Sequence, residues 1–63
     1  MTIRELDDLL WELLSEKPHT AREIHAYTEN GCSIYDVQAC LNIWTRNGWA
    51  VKHENGKYEA VRR

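Results

Sequence analysis

The sequence has no phenylalanine, a single proline, three glycines and two cysteines. So little proline and glycine leaves no linker, collagen-like repeat or low-complexity tract. Two cysteines, Cys32 and Cys40, are too few for a disulfide framework. On one helix their eight-residue separation would span about 12 Å, beyond disulfide reach, so two reduced thiols are expected. Long apolar runs are also missing. The longest uncharged stretch, between Asp36 and Arg46, falls far short of the ~18 residues of a membrane span. The N-terminus is acidic by residue 7, unlike a basic signal peptide. A soluble, cytoplasmic protein with no membrane partner is expected.

Catalytic and metal signatures are equally scarce. Among His19, His25, His53, Cys32 and Cys40 there is no C-x₂-C, H-x₃-H or H-E-x-x-H spacing. No glycine-rich phosphate loop occurs, and no Ser, His and acid set has a pocket to occupy at this length. The expectation is a protein that is not an enzyme, with no catalytic residues, cofactor, metal or small-molecule substrate.

What is present is 43% hydrophobic and 29% charged, enough apolar matter for one domain spanning residues 1–63. At this size folding hides only roughly 60% of the unfolded chain's surface. The net charge of −2 disfavours nucleic acid as a partner, yet it is unevenly spread. Residues 1–31 hold three basic and seven acidic side chains, whereas residues 32–63 hold five basic and three acidic ones. An acidic body thus carries a mildly basic second half.

Three segments open with a hydroxyl residue followed three positions later by an acid: Thr2 with Glu5, Thr20 with Glu23, Ser33 with Asp36. This is helix-start chemistry, and apolar residues at helical spacing follow each time. Helices are predicted over 3–16, 21–28 and 34–47. The first carries Ile3, Leu6, Leu9, Leu10, Leu13 and Leu14 on one stripe, with Trp11 at its edge, and Pro18 ends it. The second stops at Asn30-Gly31, a pair suited to positive φ. The third carries Ile34, Val37, Leu41 and Trp44 with Cys40 beside them, and Gly48 stops it. Beyond Gly48 the period becomes two, interrupted by Asn55-Gly56. That pattern predicts a β-hairpin with a two-residue type I′ turn. In this register Glu54 faces Lys57 and Lys52 faces Glu59, while Val51 faces Ala60 and His53 faces Tyr58. The expected core is Ile3, Leu6, Leu10, Leu13, Ile24, Val37, Leu41, Trp44, Val51 and Tyr58. The fold class is mainly α with a small hairpin, α+β.

Helix, short helix, turn, longer helix and hairpin in this order resemble a winged helix-turn-helix domain. Thr20-Ala21-Arg22-Glu23-Ile24 resembles the first helix of that motif in small bacterial, archaeal and phage DNA-binding proteins. Ser33 through Leu41 and Trp44 resembles its recognition helix, and Arg46-Asn47-Gly48-Trp49-Ala50-Val51 resembles the step into the first wing strand. The resemblance spans nearly the whole chain and implies that the third helix lies in the major groove of double-stranded DNA. At about 100° per residue, the face opposite the apolar stripe is Tyr35, Gln38, Ala39, Asn42, Thr45 and Arg46, with Ser33 at the helix start. Gln and Asn can pair bidentately with adenine, Ala and Thr can touch a thymine methyl, and Arg46 can bind guanine or phosphate. Lys52, Lys57, Arg62 and Arg63 would add phosphate contacts from the wing and tail. The implied function is a sequence-specific transcriptional regulator of phage, plasmid or prokaryotic genes. So few cations predict weak binding per monomer, and hence a homodimer on DNA, with the first helix and Trp11 as interface. The alternative is a protein-protein interaction module on the same fold, docking through acidic and aromatic surface that includes Trp11 and Ile43.

Overall fold

A computed structural model describes residues 1–62. The elements are α1 (Ile3–Glu16), α2 (Ala21–Tyr27), α3 (Ile34–Arg46), β1 (Ala50–Lys52) and β2 (Tyr58–Ala60). This is a small α+β fold of three helices and a hairpin wing. All three helices begin with reciprocal capping boxes. In the first, Thr2 Oγ1 accepts the Glu5 N–H and Glu5 Oε1 accepts the Thr2 N–H, each at 3.2 Å. In the third, the shorter Asp36 reaches the Ser33 N–H only at 3.4 Å.

Because they accept these N–H groups, Glu5 and Glu23 titrate below the usual glutamate range; Thr20's N–H is the main cause for Glu23. A carboxylate with a lowered folded pKa stabilises fully above its unfolded pKa of about 4.3 and loses that contribution as pH falls through the folded value. The parent should therefore lose more of its urea midpoint between pH 5 and pH 3 than an E5Q/E23Q variant. Equal losses would show that the two caps do not titrate with folding.

The helices stop for different reasons. Lys17 is extended, φ −165°, as the residue before a proline must be. At the end of α3, Trp49 N–H donates to Trp44 C=O at 2.9 Å and Gly48 N–H to Thr45 C=O at 3.2 Å, with Gly48 at φ +77°. These are the two bonds of a Schellman motif, and its usual apolar contact is present as Trp49 packs edge-on against Trp44. At the end of α2 the expected positive φ at Gly31 is not found. Glu29 (φ 52°) and Asn30 (φ 67°) take the left-handed turn. Gly31 is small for another reason: a Cβ there would stand 3.0 Å from the Thr28 carbonyl oxygen and 3.2 Å from Met1 Cβ.

The hairpin differs from its predicted register by one residue. Ala50 pairs with Ala60, Val51 with Glu59 and Lys52 with Tyr58. Gly56 N–H donates to His53 C=O, His53 N–H donates to Lys57 C=O, and only Gly56 has positive φ, at +84°. The connection is thus the three-residue Glu54-Asn55-Gly56 loop, a turn closed by a left-handed glycine; a type I′ turn would also need positive φ at Asn55. A one-residue slip exchanges the faces of one strand relative to the other. Ala50 is buried and Val51 is exposed, so Val51 is not a core residue. The Glu54–Lys57 and Lys52–Glu59 pairs do not form. His53 instead meets Glu59 at 2.9 Å, and Lys52 Nζ lies 5.9 Å from the Tyr58 ring centre. The cause lies outside the turn. The Schellman motif fixes which side of Trp49 meets Trp44, and hence that Ala50 points inward. On the other side His19 exchanges two backbone bonds with Tyr58, at 2.9 and 2.7 Å, adding the link before α2 to the edge of β2. Replacing Gly56 by alanine should cost about 1–2 kcal/mol from left-handed backbone strain alone, because the space around it is open. The urea midpoint measures this, and an unchanged value would contradict the three-residue loop.

The core joins Leu6, Leu10, Leu13 and Leu14 of α1, Ile24 of α2, Val37, Cys40, Leu41 and Trp44 of α3, and Ala50 and Tyr58 of the hairpin. Ile3 was expected here but is 75% exposed. It lies on the α1 stripe, in the helix's first turn, and borders an open groove. Ile34, at the start of α3, is likewise outside the core, whereas His19 and Thr28 are buried polar members. Each is satisfied: the His19 ring nitrogen Nδ1 bonds Lys17 C=O and Thr28 Oγ1 bonds His25 C=O, both at 2.7 Å.

Candidate nucleic-acid interface

The surface of α3 away from the core presents Tyr35, Ala39, Asn42 and Arg46, all exposed, Tyr35 at 82%. Val37, Cys40, Leu41 and Trp44 anchor the opposite side, so core packing itself sets this orientation. Arg46 lies in the last turn, where a cation is favoured by the helix dipole.

Gln38 departs from its expected place as a second solvent-facing reader. It is half-buried on the flank of α3, where Nε2 donates to Asn42 Oδ1 and to the Tyr58 hydroxyl, each at 3.0 Å. A polar line therefore runs from Lys52 over the Tyr58 ring, through Gln38, to Asn42. This line exists only in the observed register, which sets Lys52 opposite Tyr58. The Asn42 carbonyl oxygen has a second lone pair, so it can accept from an adenine N6 amine while Nδ2 donates to N7. Gln38 thus holds the Asn42 amide in place.

The remaining expected contacts are unequal. Ser33 Oγ accepts the Asp36 N–H as the cap, and Thr45 Oγ1 donates to Leu41 C=O at 2.8 Å. Both residues are exposed, but their hydroxyls already serve the helix backbone. Lys52 and Arg62 are exposed. Lys57 is half-buried, and its charge helps to hold the Glu23 carboxylate of α2 below the usual range. Arg63 lies outside the described residues.

Other chemistry is sparse. No group of three or more His, Cys, Asp or Glu among the described residues could hold a metal ion, and no helix there is long and apolar enough to cross a membrane. Cys32 precedes the cap of α3 and is not on the helix; both thiols are free. Burial, then the Asp7 charge, then Cys32 and Asp36, push the Cys40 thiol up, which keeps it protonated. The exposed apolar side chains that would suit a protein partner are Ile3, Ile43 at 50% and Trp11 at 37% exposure. Trp11 is tied inward by its ring contact with Trp44, 6.5 Å between centres. Sequence reasoning missed Tyr58 as the link between wing and helix, since its reach to Gln38 depends on the hairpin register. The chain matches no family model, no curated protein and no solved structure.

Proposed function

We propose that this chain is a sequence-specific DNA-binding protein of the winged helix-turn-helix type, a regulator of transcription that sets α3 in the major groove and the hairpin along the backbone. The observation that carries this reading is the Asn42 amide, exposed on the outer face of α3 and held by Gln38, which is itself fixed by Tyr58 of the wing. An ordinary solvated asparagine needs no such support, whereas base readout needs the amide pre-oriented. Arg46, Lys52, Lys57 and Arg62 supply the phosphate contacts. Duplex DNA of mixed sequence added at low salt should shift the amide signals of α3 and the hairpin and leave most of α1 still.

A protein-docking function on the same fold is the second reading, favoured by the exposed Ile3, Trp11 and Ile43. Under it the DNA titration moves neither α3 nor the hairpin.

A further inference from the structure

We propose that the groove between the start of α1 and the flank of α3 binds a lipophilic organic cation, with its apolar body against Ile3, Ile43 and Trp49 and its charge beside Asp7 and Asp36. This goes beyond the DNA reading and does not depend on it. The groove has a volume of about 460 Å³, within the range of small-molecule sites and too small for a folded partner. Its walls are mainly apolar, and Ile3 and Ile43, each at least half exposed, border it.

Charge selects the occupant. Among the described residues, the charged side chains that line the groove are Asp7 and Asp36. The N-terminal ammonium of Met1, also at the groove and bonded to the Gly31 carbonyl at 3.3 Å, offsets one of the two negative charges and leaves the groove net negative. Both carboxylates are held in place, Asp7 by the Trp44 indole N–H at 3.0 Å and Asp36 by the Ser33 N–H. One bond each leaves a carboxylate most of its acceptor capacity. Their field reaches into the groove, because Asp7 and Asp36 both raise the pKa of Cys40, another lining residue. Trp49, fixed edge-on to Trp44, gives the apolar body a rigid aromatic wall. A neutral apolar ligand would leave the two acids without benefit. A second copy of this chain seated face to face would set the Asp7 and Asp36 carboxylates of each against those of the other.

The test is a titration of the full chain with 4-phenylbutyltrimethylammonium and, separately, with the neutral 5-phenylpentanol, followed by amide and indole nitrogen-proton spectra. The cation should give saturable shifts at Ile3, Ala39, Ile43 and the Trp49 indole, and should bind at least about fivefold more tightly than the alcohol. Asp36→Asn should narrow that difference. Ile43→Lys, at an exposed helix position that tolerates the change, should abolish the shifts while helical circular dichroism is kept. Equal binding of the two probes, no saturable shift, or undiminished binding by Ile43→Lys overturns the proposal. So does movement of the same signals with protein concentration alone, which would place a second copy in the groove. No DNA is present in the experiment, so its failure and the failure of the DNA reading are separate results.

Discussion

Replacing Trp44 with alanine is expected to remove a large share of the protein's stability and to lower its urea midpoint more than any other single core truncation. The side chain is 1% exposed and its ring lies between Trp11 and Trp49, 6.5 and 6.0 Å between centres. Its indole N–H also donates to Asp7 at 3.0 Å, and its carbonyl accepts the bond that turns α3 into β1. Truncating a buried tryptophan costs about 3–5 kcal/mol. A chain of this length has a total stability of only about 3–9 kcal/mol. Trp44→Phe separates the contributions, since it keeps a ring and loses the indole N–H. Because Asp7 is only half-buried, water can replace that donor, and the loss from the hydrogen bond should be about 0.5–1.5 kcal/mol. Leu41→Ala, fully buried on the same helix, should cost about 2–5 kcal/mol. Urea titration followed by circular dichroism checks all three. A Trp44→Ala protein with the parent's midpoint would mean that the core is not centred on this residue.

The second large effect is the response of DNA binding to salt. If Arg46, Lys52, Lys57 and Arg62 each neutralise one phosphate, log K should fall with log salt at a slope of about −3.6. Affinity for any duplex would then drop about a hundredfold between 50 and 200 mM salt. Lys52→Ala and Lys57→Ala should each weaken binding to all sequences alike and reduce the slope by about 0.9. Asn42→Ala should leave the slope unchanged, because its amide neutralises nothing. Fluorescence anisotropy across a salt series measures these values. A flat salt dependence would remove the wing and Arg46 from the interface.

The helices were legible because their ends are written in local chemistry. Thr2, Thr20 and Ser33 each have an acid three residues on, and Pro18 and Gly48 close α1 and α3. The outer face of α3 was legible for the same reason, since fixed helical geometry places Tyr35, Asn42 and Arg46 opposite Val37 and Trp44. The hairpin register was not. Asn55-Gly56 fits a two-residue turn locally, but the choice is made at a distance, by the Trp44–Trp49 motif on one side and the His19–Tyr58 pairing on the other. One signal could have shown it: tryptophans three residues before and two after Asn47, the residue that caps α3, flank Gly48 and announce a Schellman contact that fixes the inward side of β1. Errors at Val51 and Gln38 both descend from this register, because Tyr58 meets Lys52 and Gln38 only once the strands are slipped. Ile3 was misplaced for a simpler reason. Periodicity marks the stripe of α1 but not how far along it the rest of the chain reaches.

Selection of bound sequences from a random duplex pool, run in parallel on the parent and on Asn42→Ala, tests the assignment of α3 as a reader most directly. The parent should enrich one motif. The variant should lose preference at a single adenine-thymine pair within it, at a cost of about 1–3 kcal/mol there, and retain the rest. No enriched motif from the parent, with both proteins binding DNA alike, would contradict base readout by α3 and leave the protein-docking function in its place.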